Sequence, residues 1–245
     1  MEIFKNFADP SGPLSFLLRY AHVLSGVTWI GLLYFFNFVQ VPAYAELTDG
    51  ARSEALRKLT LRALWWFRYA ALFTFLFGAG LLQIQAKAGG YLADVGGTAI
   101  LTGMLFGITM FLNVWGVIWR NQKIVIGNAE TVAGGGTANP EAPAAAKKAS
   151  RASRCNTLFS FPMLFFMVFA AHGPIWFPAI GGTTVYWILV LVLWAFIEGS
   201  ALGLIGGIDS AFNKMTFDKH RDTMIYGFGL LVILYVVGWE IILKA

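Results

Sequence analysis

Long apolar stretches alternate with short polar connections along the chain. Six stretches reach the roughly 20 residues that a helix needs to cross about 30 Å of hydrocarbon. They cover residues 14–41, 63–86, 97–119, 156–177, 185–208 and 223–243. None shows the inward and outward alternation of a membrane β-barrel strand. The pattern predicts an all-α integral membrane protein, a polytopic bundle of about six transmembrane helices forming one domain over residues 1–245.

Composition supports this membrane location and excludes several other classes of protein. Of the 245 residues, 58% are hydrophobic and 13% are charged, whereas soluble proteins carry about 25% charged residues. So few charges could not cover the surface of a soluble chain of this size. The single cysteine, Cys155, excludes an intramolecular disulfide and a C-x-x-C-H site for covalent haem attachment.

Basic residues are concentrated in the first, third and fifth connections and their flanks, which hold 14 of the 18 Lys and Arg residues. These are Arg52, Arg57, Lys58, Arg62, Arg68, Arg120, Lys123, Lys147, Lys148, Arg151, Arg154, Lys214, Lys219 and Arg221. The positive-inside rule places these connections in the cytoplasm and both termini outside. The net charge of +5 is then explained by contact with the cytoplasmic membrane surface, and we expect membrane lipids but no nucleic acid as partners.

Two connections have a distinctive composition. Residues 45–62 combine charge with good helix formers and predict an amphipathic helix at the membrane interface. Residues from about 130 to 150 are rich in Gly, Ala and Pro and predict a flexible cytoplasmic linker.

Two G-x-x-x-G pairs predict close helix contacts within the third and fifth spans. They are Gly103 with Gly107, and Gly199 with Gly203.

Two of the three histidines lie inside predicted spans. At about 1.5 Å per residue, His22 lies ~12 Å and His172 ~8 Å from the outer ends of their spans. Two neutral imidazoles at similar depth can ligate the iron of a b-type haem from opposite faces, and Arg19 could pair with a haem propionate. The alternatives are a hydrogen bond between helices at each histidine, or another metal.

A second set of polar residues lies towards the cytoplasmic half of the spans. Asn37 ends the first span, Arg68 opens the second, Asn113 lies low in the third, Asn156 starts the fourth and Glu198 lies below the middle of the fifth. At one level of the bundle, these groups could line a polar cavity for a small planar substrate. The alternative is an ion pair between Arg68 and Glu198, with the amides satisfying helix ends.

Several motifs resemble the membrane domain of bacterial membrane-bound urate oxidases. They are RYAH at 19–22, WIGLLYFFNFVQVP at 29–42, RALWWFR at 62–68, NVWGVIW at 113–119, SRCNT at 153–157 and PMLFFM at 162–167. The resemblance implies a helical membrane domain in a bacterial inner membrane, with urate oxidised to 5-hydroxyisourate. It also implies that electrons leave through a cytochrome c. Because this sequence has no cytochrome c domain, we expect a separate cytochrome c as the acceptor.

With this resemblance, the polar residues take expected roles. Electrons would pass to haem b between His22 and His172, with Arg19 at a propionate. Arg68 would hold the anionic purine, Glu198 would relay a proton, and Asn37 and Asn113 would complete the site. The alternative is a non-catalytic membrane subunit that supports a larger respiratory or photosynthetic complex.

Overall fold

The computed structural model describes residues 6–87, 89, 91–173 and 181–244. The structure is 85% helical, with no strand among these residues. Six helices are long and apolar enough to cross a membrane. The predicted all-α, multi-pass membrane fold is therefore confirmed.

The helices follow one another in chain order with short connections. They are α1 (Pro13–Glu46), α2 (Asp49–Ala86), α3 (Val95–Ala133), α4 (Ala142–His172), α5 (Thr183–Ala201), α6 (Ala211–Phe217) and α7 (His220–Leu243). A 3₁₀ turn, Tyr91–Ala93, precedes α3. Each helix except α6 is one of the six candidate membrane spans. We call the end that carries the first, third and fifth connections the basic end.

Wider π-helical turns interrupt four of these helices. They are Phe35–Gln40 in α1, Leu56–Thr60 in α2, Val114–Ile118 in α3 and Ile233–Leu243 in α7. Such turns are frequent at functional sites, and they change the direction of the side chains that follow. Asn37 lies inside the first of them and Asn113 directly precedes the third.

Helix α4 lies at the centre of the bundle, where it packs against α3, α7, α1 and α5. Helices α1 and α2 pack mainly on each other. The core around α4 is aromatic, and Phe106, Phe159, Phe166 and Trp239 are each no more than 1% exposed. Because α4 contacts four helices, its polar residues can join several parts of the bundle.

The first basic connection is shorter than the sequence predicts. Residues 45–62 do not form a separate interfacial helix, because α1 runs to Glu46 and α2 begins at Asp49. Thr48 between them caps α2 by accepting a hydrogen bond from the Ala51 amide at 3.4 Å.

The predicted linker from about 130 to 150 is largely helical, which corrects the prediction. Helix α3 continues to Ala133 and α4 starts at Ala142. Pro143 occupies the first turn of α4, where proline is well tolerated, and the alanines that follow are strong helix formers. Ala145 and Ala149 are 4% and 0% exposed, and this first part of α4 packs against the end of α3.

The two G-x-x-x-G pairs have different outcomes. A Cβ on Gly103 would lie 3.2 Å from Met167 Cγ, and one on Gly107 would lie 3.7 Å from Met163 Cγ, so this pair forms a close contact between α3 and α4. Gly203 lies outside a helix with a φ of +78°, because α5 ends at Ala201 instead of the predicted residue 208. Its left-handed backbone favours glycine. The predicted end of the fourth span at residue 177 lies outside the described residues.

Two basic residues on α4 that belong to the predicted cytoplasmic set are buried instead of facing water. Arg151 is 4% exposed and Arg154 is 5% exposed. Arg151 donates to the Asn213 carbonyl at 3.2 Å and to the Asp218 carboxylate at 2.6 Å. Arg154 donates to the Phe217 carbonyl at 3.3 Å. These bonds attach α6 and the residues after it to α4.

Candidate functional site

A group of buried polar side chains joins α3, α4 and α5 inside the bundle. The Asn113 amide nitrogen donates to Asn156 Oδ1 at 3.0 Å and lies 3.1 Å from Glu198 Oε2. The Cys155 thiol donates to the same Glu198 oxygen at 3.4 Å, and Asn156 Nδ2 donates to the Met110 carbonyl at 3.0 Å. We call Asn113, Cys155, Asn156 and Glu198 the Glu198 cluster.

The Glu198 cluster holds a carboxyl group away from water without a cation beside it. Glu198 is 9% exposed, Asn113 is 3% exposed, and Cys155 and Asn156 are 0% exposed. No Lys, Arg or His in the described part of the chain forms an ion pair with Glu198. Burying a charge costs several kcal/mol in a membrane, so an acid in this position is a functional candidate. Both donors bind Oε2, which leaves Oε1 for a proton or a ligand.

Arg68 lies in a different place, against the opposite side of α3. Its guanidinium carbon is 3.4 Å from the centre of the Trp119 ring and 5.6 Å from that of Trp115. Arg68 is 9% exposed, and neither its Nε nor Trp115 Nε1 has a hydrogen-bond partner among the described residues. The alternative ion pair between Arg68 and Glu198 does not form. We call Arg68, Trp115 and Trp119 the Arg68 site.

Asn37 forms a third, separate contact. Its amide nitrogen donates to the Leu33 carbonyl and to Ser153 Oγ, both at 2.9 Å, and so joins α1 to α4. Of the five predicted cavity residues, the structure therefore brings Asn113, Asn156 and Glu198 together and gives Arg68 and Asn37 other partners. Asn113 faces α4 and α5 while Trp115 faces α2, because residues two apart on a helix point in roughly opposite directions.

His22 is placed as a metal-ligating histidine would be. Its Nδ1 is 2.8 Å from the Thr74 carbonyl oxygen, to which a protonated Nδ1 donates. A Cβ on Gly78 would lie 2.9 Å from His22 Cε1, so the glycine makes room for the ring. A backbone acceptor at Nδ1 fixes the tautomer in which Nε2 carries a free lone pair. This contact is the hydrogen bond between helices that was the alternative expectation for His22, and it leaves Nε2 as the atom that could ligate a haem iron.

The other predicted cofactor residues are less enclosed. His172 is the exposed last residue of α4, and Arg19 is exposed on α1. No hydrogen bond or ring contact between described residues joins either of them to His22. In the same ranges, no group of three or more His, Cys, Asp and Glu could hold a metal ion. Ligation by His172 and pairing of Arg19 with a propionate stay predictions.

A cleft at the basic end lies next to the Glu198 cluster. Its volume is about 250 Å³. It is lined by Gly116, Val117, Arg120, Asn121, Lys148, Ala201, Leu202 and Ile208, which belong to α3, to α4, and to the end of α5 with the chain that follows it. Sequence reasoning missed the cleft because its lining comes from three separate segments. Cys155 was also not predicted as a site residue. It directly precedes Asn156, which was predicted to line the polar cavity.

Comparison with known families supports the importance of this region. A family model described as urate oxidase N-terminal matches residues 94–201, which confirms the predicted resemblance. The matched segment contains all four residues of the Glu198 cluster and also His172, whereas His22, Asn37 and Arg68 precede it. Comparison with curated proteins gives no match, and neither does comparison with solved structures.

Proposed function

We propose, from the match to the urate oxidase N-terminal family over residues 94–201, that this multi-pass membrane protein is a haem b-containing oxidoreductase. It oxidises urate, or another small planar substrate, and passes the electrons to a separate cytochrome c. Its location is a bacterial inner membrane. The observation that carries the proposal is the Glu198 cluster, whose four members all lie within the matched segment.

The reaction requires a group that handles protons. Urate and one water give 5-hydroxyisourate, two electrons and two protons. A new C–O bond forms between the water oxygen and the purine, and the protons leave. Glu198 Oε1 would accept one of them, while Asn113 and Cys155 hold Oε2 in place. Asn156 in turn holds Asn113 by accepting its amide hydrogen at 3.0 Å.

The electrons require a redox group, which amino-acid side chains of this cluster do not supply. Haem b would supply one-electron transfer between the substrate and the cytochrome. His22 would hold it through Nε2, since Thr74 takes Nδ1. In this proposal, His172 would be the second ligand of the haem iron and Arg19 would pair with a haem propionate.

The Arg68 site is the second candidate position for the urate anion. A cation that is 9% exposed, has no acid partner in the described part of the chain and lies against Trp119 offers both charge and a stacking surface. Arg68 and Asn37 do not touch the Glu198 cluster. A purine bound at the Arg68 site would therefore lie away from Glu198, so the two sites are alternative positions for the reacting purine. The variants described below separate these positions.

The test is urate-dependent reduction of ferricytochrome c by the purified, haem-loaded chain. We expect two cytochromes to be reduced for each urate consumed, because the reaction releases two electrons. Glu198→Gln keeps the shape of the side chain and an acceptor for Asn113, yet it should lower the rate at least about 100-fold, as expected for loss of a general base.

The matched control for that test is Glu130→Gln, which changes an exposed glutamate at the end of α3 and should leave the rate unchanged. An equal rate in the Glu198→Gln and Glu130→Gln proteins would remove Glu198 from the reaction. A well-folded, haem-loaded protein that urate does not reduce would favour the alternative of a non-catalytic subunit of a larger complex.

A further inference from the structure

The cleft at the basic end is aligned with the Glu198 cluster on three helical segments. Gly116 follows Asn113 by three residues, and Ala201 follows Glu198 by three residues, which is one helical turn in each case. Lys148 precedes Cys155 by seven residues, or two turns, on α4. In all three segments the step from the cluster to the cleft runs towards the basic end. The cleft therefore lies about one to two helical turns from the Glu198 cluster, on the side of the basic end.

The charges around the cleft favour an anion. Arg120 and Lys148 are exposed and form no ion pair with another described residue. The acid Asp209 follows the lining residue Ile208 and is paired with Lys147. The hydrogen bond from Lys147 holds the pKa of Asp209 below its usual value, so this acid stays ionised and engaged. The two remaining cations leave the cleft positively charged.

The size and lining of the cleft suit a small ligand that has both apolar faces and polar edges. Its volume of about 250 Å³ is small, and Val117, Leu202 and Ile208 give it apolar walls. The side-chain amide of Asn121 also lines the cleft. Its Nδ2 donates a hydrogen bond to the Val117 carbonyl at 2.8 Å. Apolar walls suit the faces of a planar ring, while the amide and the two cations suit its polar edges.

We propose that this cleft binds a small planar organic anion of purine size and forms the route by which it reaches Glu198 from the basic end. The identification of that anion as urate rests on the proposed function. The competing source of negative charge at a membrane surface is a lipid phosphate, which basic recesses between helices also bind.

Equilibrium binding of radiolabelled urate to the full chain tests the proposal. The protein is placed in nanodiscs of phosphatidylcholine, which has no net charge. Replacing both cations, Arg120→Gln with Lys148→Gln, should weaken urate binding at least about tenfold, because two charge-assisted contacts are lost. The matched control, Arg62→Gln with Lys214→Gln, removes the same charge from exposed positions at the same end and should bind like the unchanged protein.

The outcomes of this experiment separate the two proposals. If the unchanged protein binds no urate, urate as the substrate and the cleft as its binding site are both overturned. If it binds urate and the Arg120→Gln, Lys148→Gln protein binds equally well, the cleft proposal alone is overturned. Binding rather than turnover is measured, so the result does not depend on haem content.

Thiol labelling gives a second measurement that does not require removal of the cations. Val117→Cys places a thiol in the cleft, and the natural Cys155 is 0% exposed. A small anionic methanethiosulfonate should label Val117→Cys, and urate should slow the labelling several-fold while the neutral purine hypoxanthine should not. If urate has no effect but phosphatidylglycerol in the nanodiscs suppresses labelling, the cleft holds a lipid phosphate and the proposal is wrong.

Discussion

The side-chain amide of Asn113 lies 3.1 Å from Glu198 Oε2 and thereby joins α3 to α5 within the membrane-spanning bundle. The same nitrogen donates to Asn156 on α4. One amide therefore holds three helices around a single buried carboxyl group.

Asn113→Leu should destabilise the protein by about 1–3 kcal/mol, because Glu198 and Asn156 both lose a buried hydrogen-bond donor. Thermal unfolding in detergent measures the change. Thr28→Val is the control, since Thr28 donates only to the carbonyl of Leu24 in its own helix. Equal unfolding temperatures for the two variants would show that the Asn113 bonds contribute no net stability.

Arg68→Met tests whether the Arg68 site binds the urate anion. Methionine fills a similar apolar volume and needs no partner, so the variant should fold at least as well as the unchanged protein. If urate lies on Trp119 in the reacting complex, urate binding should weaken at least about tenfold. Unchanged binding in a stable Arg68→Met protein would leave the Glu198 cluster with its cleft as the urate position.

The packing of His22 predicts how haem retention responds to a neighbouring residue. Gly78→Val should lower haem content as strongly as His22→Ala does, because a side chain at position 78 would displace the imidazole. Pyridine haemochrome absorbance per protein measures the content. Gly31→Ala is a matched control, since a Cβ there meets nothing within 4 Å, and His220→Ala controls for loss of a histidine. Full haem retention by His22→Ala would move the ligand elsewhere.

Arg151 and Asp218 join α4 to the fifth connection. The side chain of Arg151 is 5% exposed and that of Asp218 is 52% exposed. Asp218→Asn should destabilise the protein by about 1–2 kcal/mol, with the partial exposure of the carboxylate reducing the effect of leaving a buried cation unpaired. Thermal unfolding measures this loss of stability. The control is Asp222→Asn, which removes the acid of a surface ion pair with Arg221. A loss no larger than that of the control would contradict the assigned role of Arg151.

The membrane-spanning helices could be predicted from the sequence because a continuous apolar run has few other structures open to it in a bilayer. The residues at which the helices begin and end on the basic side could not be predicted. Residues 49–60 and 142–149 are polar or alanine-rich, and they are helical because Thr48 caps one segment and α3 packs against the other. Neither cause appears in a hydropathy profile.

The site was partly predictable for a similar reason. Asn113, Glu198 and Arg68 stand out because few polar residues lie in apolar runs. Hydropathy gives their depth but not the side of the helix on which they lie. The side is set by helix packing and by the π turn Val114–Ile118, and it places Glu198 and Arg68 on opposite sides of α3.

The central claim is that urate gives electrons to a haem held by this chain. An anaerobic difference spectrum, recorded before and after urate is added to the oxidised, purified protein, tests it most directly. The account predicts the Soret and α bands of reduced haem b after urate, and their absence in the His22→Ala protein. If dithionite produces these bands and urate does not, or if neither produces them in a well-folded preparation, the claim is wrong.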